Sequence, residues 1–402
     1  MGQKQDKSQR FGYEKSNSNL FLNMPRASLS IYIHWPFCKI KCPYCDFNSY
    51  KRESVDQTQW MEAYLRALEL WFSRLDQRIV GSIFFGGGTP SLLDPKSVEL
   101  LLQKINKVWG INNDCEISIE ANPNSVSELK FKRFKEIGIN RVSVGMQSLN
   151  NRDLKLLGRD HNKDQALKAV EIVRKWFKNF NLDFIYGRQY QNTSMWEDEL
   201  SQIMSLEAPH LSLYQLTIEE NTSFYKLFKR ELLKGLPATK IAAEMYDITK
   251  RVCEDGAYKQ YETSNFARKG FRCKHNLSYW DYNDYIGVGP GAHGRIKISG
   301  KIYATEEEKN PDIWLKKTVA STSSTPKIIP LDNRVVFEEK LIMNLRIYKK
   351  IPISMFDYEK LQPVVKNLKE NKLIKLKDNR IIMRKRGAKM LDYITRSLME
   401  CF

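Results

Sequence analysis

The chain has 402 residues, of which 42% are hydrophobic and 28% are charged, as in ordinary globular proteins. No run approaches the roughly 18 uninterrupted apolar residues that a membrane-spanning helix needs. An odd count of seven cysteines in a long chain is typical of reduced thiols, so we expect a cytoplasmic protein, at most peripheral to a membrane. The formal charge of +18 suggests a polyanionic or carboxylate-bearing ligand, although its spread along the chain also fits a solvated lysine-rich surface.

Residues 1–28 are polar, basic and poor in branched apolar side chains, so they predict a disordered arm. Six β-prone runs follow, and the stretches between them, most clearly 58–75 and 164–180, show the 3.6-residue apolar period of helices. The runs are residues 29–35, 82–88, 115–123, 141–148, 181–187 and 211–217. Such repeated strand–helix–strand units predict parallel strands joined by right-handed crossovers. We therefore predict an α/β fold with a partial (β/α)6 barrel over residues 29–217 and functional groups at the C-terminal strand ends.

The remainder of the chain has a different pattern. Residues 218–331 predict an irregular α+β extension, which is rich in glycine and aromatic residues over 265–294. Residues 332–402 predict short helices, a hairpin with the turn "KDNR" (377–380) and a last helix. That order of elements is typical of a winged-helix-like domain.

Three cysteines follow the first predicted strand with C-x3-C-x2-C spacing: Cys38, Cys42 and Cys45. Three thiolates ligate three irons of a cubane iron–sulfur cluster and leave the fourth iron open to a small chelating ligand. Zinc also suits thiolates, but a structural zinc site needs a fourth ligand, and no nearby cysteine or histidine completes a familiar pair. His34 lies inside the strand run, which favours a packed histidine. The spacing therefore favours a cluster over zinc.

The segment "FFGGGTP" (84–90) follows the second predicted strand. Three successive glycines remove every β-carbon, so a ligand could approach the backbone and use its N–H and C=O groups. A tight turn before the helix that Asp94–Pro95 begins would explain the same residues. Together with the cysteine loop on the neighbouring strand, however, the segment favours a ligand site.

This pair of motifs resembles the radical S-adenosylmethionine superfamily. Further segments extend the resemblance from about residue 29 to the C-terminus and narrow it to the HemW haem chaperone family, relatives of the oxygen-independent coproporphyrinogen dehydrogenase HemN. They are "YIHWPFCKIKCPYCDFNS", "IEANP", "VSVGMQSLN", "LKLLGRDHN", "NLDFIYG", "LSLYQLTIE", "YETSNFARKGFRCKHNLSYW" and "YIGVGPGAHG". The resemblance implies a radical S-adenosylmethionine barrel and, if that cofactor is cleaved, a reduced cluster that injects one electron and yields a 5′-deoxyadenosyl radical.

The resemblance also implies ligands residue by residue. A [4Fe–4S] cluster would be held by Cys38, Cys42 and Cys45. S-adenosylmethionine would be contacted by Tyr32, Gly87 and Glu120. The positions that surround a second such molecule in the HemN relative are Tyr44, Gly88, Thr89, Gln147, Arg159 and Asp183. The number of bound S-adenosylmethionine molecules stays open, and after Asp183 the family's glycine–leucine–proline–glycine turn is replaced by "YGRQYQNT" (186–193).

Two features distinguish the chaperone from the dehydrogenase. The dehydrogenase has a further cysteine two residues after its third cluster ligand, where this chain has Phe47. "HNLSYW" (275–280) matches the motif that the chaperone family associates with haem, which implies a haem site at His275, Asn276, Tyr279 and Trp280. A histidine can ligate haem iron and aromatic rings can cover the macrocycle, but the same residues could simply be a packed aromatic cluster. His161, His210 and His293 show no partner pattern.

The leading hypothesis is an iron–sulfur, S-adenosylmethionine-binding haem chaperone that passes haem to haem-dependent proteins such as respiratory enzymes at the membrane. One alternative is coproporphyrinogen decarboxylation, which Phe47 disfavours. Another is nucleic-acid binding by residues 332–402, which hold 17 Lys or Arg against 9 Asp or Glu, a net of +8 (17 − 9). No aromatic platform interleaves those charges, so the nucleic-acid hypothesis is the weaker one.

Overall fold

The structure is a computed structural model that describes residues 28–75, 78–320, 326–347 and 350–402. The predicted N-terminal arm lies outside the described residues except for Ser28, which begins the first strand. None of the described helices is both long and apolar enough to cross a membrane.

The strands in the described part of the chain are, in order, β1 (Ser28–Trp35), β2 (Phe37–Cys38), β3 (Tyr50–Lys51), β4 (Ile79–Gly87), β5 (Ile111–Ala121), β6 (Arg141–Gln147), β7 (Asn179–Tyr186), β8 (His210–Gln215), β9 (Lys259–Gln260), β10 (Asn265–Ala267), β11 (Tyr285–Val288), β12 (His293–Ile298), β13 (Lys301–Glu306), β14 (Lys327–Pro330), β15 (Lys350–Pro352), β16 (Ile374–Lys377) and β17 (Arg380–Met383).

The α-helices in the same residues are α1 (Gln57–Arg74), α2 (Pro95–Trp109), α3 (Glu128–Glu136), α4 (Asn151–Leu156), α5 (Lys163–Trp176), α6 (Thr193–Ser205), α7 (Ser223–Lys229), α8 (Thr239–Asp255), α9 (Lys274–Trp280), α10 (Pro311–Ala320), α11 (Asn333–Ile347), α12 (Tyr358–Glu370), α13 (Lys385–Ala388) and α14 (Leu391–Met399).

A large open sheet with twelve described strands forms the centre of the molecule. Its order is β14-β13-β12-β11-β1-β4-β5-β6-β7-β8-β10-β9. The six predicted strands correspond to β1 and β4–β8, and they pair in sequence order, all parallel. The α/β prediction and its six parallel strands are therefore confirmed.

The sheet continues beyond the six predicted strands. β11 pairs parallel to β1, and β12, β13 and β14 extend that edge antiparallel. β10 and β9 extend the other edge beside β8. Residues 218–331 were predicted as an α+β extension, and these strands together with α7–α10 form it. Within it, residues 265–294 are more regular than expected, because they contribute β10, α9 and β11. β10 and β11 have three and four residues, at or below the shortest length at which a period-2 alternation can be recognised.

Local sequence explains where several helices begin and end. Asp94 precedes α2 and Pro95 occupies its first turn, as predicted. Gly138 follows α3 with φ of 107°, a left-handed conformation that glycine adopts without strain. α5 ends at Trp176 instead of residue 180, because Asn179 and Phe180 already belong to β7. Helical periodicity alone did not locate that boundary.

The C-terminal residues have a separate apolar core. Its buried members lie between Phe337 and Cys401 and pack against one another instead of the core of the main sheet. The predicted hairpin is present as β16 and β17, with positive φ at Asp378 and Asn379, and β15 completes a three-stranded sheet. The winged-helix assignment and the domain boundaries stay predictions.

Candidate functional site

The C-terminal ends of the parallel strands surround a cavity of about 510 Å³ beneath the cysteine loop. That loop is held by a short parallel pairing of β2 with β3, whose register brings Phe37 opposite Tyr50. The predicted residues that line the cavity are Cys38, Cys42, Tyr44, Cys45, Gly87, Gly88, Glu120, Gln147, Arg159 and Asp183. The expectation that strand ends bring these groups to one place is confirmed by this geometry, while their ligands are untested.

Each of the three clustered cysteines has its own side-chain hydrogen-bonding partner. The Thr89 hydroxyl donates to Cys38 Sγ at 3.3 Å, and the Arg159 guanidinium donates to Cys42 Sγ at 3.4 Å. Ser49 Oγ lies 3.7 Å from Cys45 Sγ. Hydrogen bonds to ligating sulfurs tune the reduction potential of iron–sulfur clusters, so this set of partners suits a redox centre.

The protonation of the thiols follows from their surroundings. Burial raises the pKa of Cys38 to about 11 and also raises the pKa of Cys45. Among the described residues, no group of three or more His, Cys, Asp or Glu side chains converges on a point where one metal ion could sit.

The glycines are required by close packing. Gly87 has φ of 109°, and a β-carbon there would lie 2.6 Å from the His34 ring. A β-carbon on Gly88 would lie 2.7 Å from the Phe37 carbonyl oxygen. The N–H groups of Gly87, Gly88 and Thr89 donate to Glu120, Trp35 and Phe37 respectively. As folded, these three N–H groups are therefore engaged within the protein, and ligand binding at Gly87 and Gly88 stays a prediction.

Glu120 and Asp183 place two carboxyl groups on the cavity wall. Burial, and then the proximity of Asp183, raises the pKa of Glu120 to about 8. Burial also raises the pKa of Asp183, although hydrogen bonds from Ser143 and Asn181, both at 2.8 Å, oppose that shift. Such a cavity favours a cationic ligand, which would stabilise the ionised form of Glu120.

A hydrogen-bonded chain connects two of the cysteines through Asn122. Arg159 donates to Asn122 Oδ1 at 2.6 Å, and Asn122 Nδ2 donates to the Thr89 hydroxyl at 3.0 Å. Through Arg159 and Thr89 the chain therefore reaches Cys42 and Cys38. Asn122 lies in the segment "IEANP" but was not among the predicted site residues, because an asparagine before a proline equally predicts a turn.

Gln147 ends β6 in a strained conformation. Its φ is 66°, and the pairing of β6 with β7 shifts register between Gly145 and Gln147. Positive φ at a residue with a side chain is typical of functional sites, where the surrounding structure stabilises it. Gln147 also lines the cavity.

After Asp183 this chain lacks the glycine–leucine–proline–glycine turn of the family, and a different set of contacts holds the backbone there. Arg188 is buried and forms ion pairs with Asp153 and Glu199, and it donates to the Ile185 carbonyl. Gly187 keeps a positive φ of 70°, and its N–H donates to Gln191 at 2.7 Å. The turn is therefore held by a buried charge network in place of the family's short apolar turn.

The predicted haem residues do not share one surface. His275 is 1% exposed, and its two ring nitrogens lie 2.8 Å from Ser82 Oγ and 2.5 Å from Tyr279 Oη. Trp280 packs against α11, where the Arg346 guanidinium lies 4.7 Å from its ring. Asn276, on the first turn of α9, donates its backbone N–H to Cys273 Sγ. As folded, His275 has no nitrogen available to iron, so the prediction of ligation by His275 requires the interior to rearrange.

Tyr279 and Tyr32 instead line a second cavity of about 340 Å³. It adjoins the first, and the two share Phe47, Gly87 and Glu120. Tyr32 is hydrogen-bonded to His34 Nδ1 at 3.2 Å, and both rings line the second cavity. Of the twelve residues predicted to hold the cluster and S-adenosylmethionine, Tyr32 and Thr89 are the two outside the lining of the first cavity.

The fold and the cavity have counterparts among known proteins. The family model described as "Radical SAM superfamily" matches residues 32–203, which span the cysteine loop and most of the parallel strands. The structure is similar to that of coproporphyrinogen III oxidase (HemN) from Escherichia coli, with a TM-score of 0.78 over 94% of this chain and 90% of that one, at 20% identity. These matches define the class as a radical S-adenosylmethionine fold.

Curated relatives narrow the class. The chain is 38% identical over 350 residues to the heme chaperone HemW of Haemophilus influenzae, covering 84% of this chain and 88% of that protein. It is 36% identical over 327 residues to the radical S-adenosyl methionine domain-containing protein 1, mitochondrial, of Danio rerio, covering 80% of this chain and 73% of that protein. The chain belongs to the HemW-like family of radical S-adenosylmethionine proteins.

Proposed function

We propose that this chain is a haem chaperone that carries a [4Fe–4S] cluster and S-adenosylmethionine, binds haem and delivers it to haem-dependent proteins such as respiratory enzymes. The observation that carries the proposal is the convergence of three thiols, two carboxyl groups and Arg159 on one cavity. The names of the bacterial relatives, heme chaperone HemW, support the haem part of the proposal.

The residues that line the cavity suit both a [4Fe–4S] cluster and S-adenosylmethionine. Cys38, Cys42 and Cys45 would hold the cluster, which when bound supplies an open iron position and single electrons. Glu120 would accept a hydrogen bond from the ammonium group of the S-adenosylmethionine on the cluster, and Arg159 would donate to the carboxylate of a second molecule if the chain binds two. The other proposed contacts are Tyr32, Tyr44, Gly87, Gly88, Thr89, Gln147 and Asp183.

Anaerobic reconstitution with iron and sulfide tests whether the chain binds a [4Fe–4S] cluster. We expect about four iron and four sulfide per chain in the wild type and loss of both in Cys42→Ala. Cys253→Ala is the matched control, because Cys253 is a buried thiol on α8 outside the cavity. Stoichiometric zinc with no uptake of iron and sulfide by the wild type would overturn the cluster assignment.

Haem binding and transfer are tested separately. We expect the reconstituted protein to bind haem near one equivalent, as seen in its Soret absorbance, and to transfer it to an apo-haemoprotein in a coupled assay. A wild-type protein that takes up a cluster but no haem would contradict the chaperone proposal and leave the radical S-adenosylmethionine assignment unaffected. The cytoplasmic location and any peripheral membrane contact stay predictions, which cell fractionation would test.

The oxidative decarboxylation of coproporphyrinogen is the second candidate, because the fold is similar to that of HemN. Phe47 argues against it: the side chain stands where the dehydrogenase carries a cysteine, and it is 58% exposed at the rim of both cavities. Anaerobic incubation with coproporphyrinogen III, S-adenosylmethionine and a reductant distinguishes the two. Formation of protoporphyrinogen would replace the chaperone proposal with the dehydrogenase.

A further inference from the structure

Three neighbouring strands carry a group of buried polar side chains beside the first cavity. Along β7, Leu182 packs in the apolar core, so Asn181 and Asp183 on either side of it point to the opposite face of the sheet. The pairing of the strands brings Asn181 opposite Ser143 of β6 and His210 of β8. These last three residues are at most 6% exposed. Polar groups buried to this extent need hydrogen-bonding partners, and those partners determine how each group is oriented.

Both oxygen atoms of the Asp183 carboxyl group accept hydrogen bonds from these neighbours. Asn181 Nδ2 donates to Oδ1 and the Ser143 hydroxyl donates to Oδ2, each at 2.8 Å. Asn181 Nδ2 also donates to Ser143 Oγ at 2.7 Å, which leaves the hydroxyl proton for the carboxyl group. An ionised carboxylate is the form that has only acceptors, so this pattern of donors stabilises the charged state against burial.

The orientation of the Asn181 amide is set by His210. His210 Nδ1 lies 2.6 Å from Asn181 Oδ1, and an amide oxygen only accepts, so Nδ1 carries the hydrogen. The Ser212 hydroxyl also lies 3.1 Å from that oxygen, but its proton has a nearer acceptor, Asn265 Oδ1 at 2.7 Å. If the two ends of the amide were exchanged, its oxygen would face the Asp183 carboxylate and its nitrogen would face an N–H donor. The His210 N–H therefore keeps the nitrogen of Asn181 directed at Asp183.

Tyr261, which follows β9, fixes the tautomer of His210. With the hydrogen on Nδ1, a neutral ring has a lone pair on Nε2, and the Tyr261 hydroxyl lies 2.7 Å from that atom and donates to it. Burial and then the nearby Arg141 cation lower the pKa of His210 well below its usual range, so the ring is neutral at physiological pH. Burial raises the pKa of Tyr261, so the hydroxyl keeps its proton. Tyr261 Oη in turn accepts from the Cys273 N–H at 3.4 Å, just before α9.

The hydrogen bonds of this chain all run in one direction. Each member donates to the next, in the order Cys273, Tyr261, His210, Asn181 and Asp183. Aligned hydrogen bonds polarise one another in a buried environment, and here the last acceptor is the carboxylate on the cavity wall.

We propose that Tyr261 and His210 are positioning residues that act through Asn181 and hold the Asp183 carboxylate oriented in the first cavity. A carboxylate fixed in this way accepts from ligand hydroxyl or ammonium groups and repels ligand acceptors, so the chain sets the polarity of this wall. The part of the proposal that concerns S-adenosylmethionine rests on the proposed function, in which Asp183 contacts that molecule.

Three ionisable groups also face Asp183. Burial raises the pKa of Asp183, whereas its hydrogen bonds and then the Arg141 cation lower it. Burial and then the charge of Asp183 raise the pKa of both Glu120 and Tyr214. A substitution elsewhere in the hydrogen-bonded chain leaves these three side chains in place.

Nuclear magnetic resonance of the free protein tests the chain without any ligand. In the wild type we expect the Nδ1–H tautomer of His210, read from the imidazole nitrogen shifts, with His210→Gln identifying the signals. Tyr261→Phe removes the donor to Nε2, so we expect the other tautomer to become populated. The Asp183 carboxyl group, followed by its carbon shift, should then take up its proton at a pH about one unit higher, because about one hydrogen bond is lost from the charged form.

Tyr258→Phe is the matched control. Tyr258 is also a buried tyrosine, and its hydroxyl donates to the Ala208 carbonyl at 2.5 Å, outside the chain. This variant loses one buried hydroxyl as well, so its denaturant midpoint should fall by a similar amount, but the His210 tautomer and the Asp183 titration should be unchanged. A wild type with the hydrogen on Nε2, or an Asp183 titration that Tyr261→Phe does not move, would overturn the proposal and leave the proposed function intact.

Binding of S-adenosylmethionine to the reconstituted protein tests the consequence for the ligand. We expect Tyr261→Phe to weaken binding by about 3- to 10-fold, and Tyr258→Phe to leave it unchanged. In the Asp183→Asn background, Tyr261→Phe should have no further effect, because the chain then has no carboxylate to hold. Equal weakening in both backgrounds would show that Tyr261 only supports the fold, and this result would overturn the proposal. If the wild type binds no S-adenosylmethionine, the proposed function fails, while the tautomer and the carboxyl titration still decide whether the chain holds Asp183.

Discussion

Replacing Glu120 with glutamine should remove the pH dependence of S-adenosylmethionine binding. The Glu120 carboxyl accepts from the Gly87 N–H at 3.1 Å and lies on the wall of the main cavity. Burial and Asp183 raise its pKa to about 8, so at pH 7 only about one group in ten is ionised in the free protein. A cationic ligand binds the ionised form, so binding must release a proton at neutral pH.

The direction and the size of the pH dependence of binding follow from the raised pKa of Glu120. The free protein holds the proton below about pH 8, so affinity should rise about tenfold for each pH unit, or about 1.4 kcal/mol, between about pH 6 and pH 8. Above pH 8 the affinity should level off, because Glu120 is then already ionised. In Glu120→Gln the affinity should be nearly constant over this range and about 10- to 100-fold weaker than the wild type above pH 8, since one charge-assisted hydrogen bond is lost.

Isothermal titration calorimetry of the reconstituted protein measures both the affinity for S-adenosylmethionine and the number of protons released on binding. Titrations in two buffers with different ionisation enthalpies report the number of protons released on binding, which we expect to approach one at pH 7. Glu219→Gln is the matched control: it removes a carboxylate from the exposed rim of the same cavity, where solvent screens the charge. A wild type that binds S-adenosylmethionine with no proton release and no pH dependence would refute the assignment of Glu120 to its ammonium group.

Three further predictions concern the cluster and the fold. Thr89→Val should lower the reduction potential of the cluster by about 40 mV, which corresponds to about 1 kcal/mol lost from the reduced state, while Thr89→Ser should keep the wild-type value; redox titration with spectroscopic detection checks both. Because burial raises the pKa of Cys38 to about 11 and cluster ligation needs the thiolate, the rate of anaerobic reconstitution should increase from about pH 7 to pH 9, and a flat profile would contradict this. Arg188→Leu should lower the free energy of unfolding by about 3–5 kcal/mol, since it leaves two buried carboxylates without a cation. Arg251→Leu, which removes an exposed ion pair, is the control and should leave the denaturant midpoint nearly unchanged.

The parallel part of the fold could be predicted because its signals are local. Each of the six strands is a compact apolar run, and the helices between them carry the apolar stripe that packs on the sheet. β11 could not be predicted in this way. It has four residues, and its place beside β1 depends on a contact across more than 250 residues, from Ser30 to Tyr285. Long-range pairing of this kind leaves no periodic pattern in the sequence.

The position of the cavity could be predicted from the sequence, but the hydrogen bonds between the residues that surround it could not. Strand order alone brings Cys38, Glu120 and Asp183 to one edge of the sheet. The partners that set their chemistry are ordinary polar residues. Asn122 joins Arg159 to Thr89 through two hydrogen bonds, and nothing in the composition of its surroundings distinguishes it from a turn asparagine.

His275 and His293 show that a sequence motif does not reveal how a histidine ring is packed. Both histidines lie in segments by which the family was identified, and a one-letter sequence cannot tell a ring with two hydrogen-bonding partners from an open one. The difference arises from tertiary packing, because Ser82 from β4 and Tyr279 from α9 reach the first ring, and no described side chain hydrogen-bonds the second. A motif therefore identifies a family, whereas the packing around each ring decides whether its nitrogen atoms have hydrogen-bonding partners within the protein.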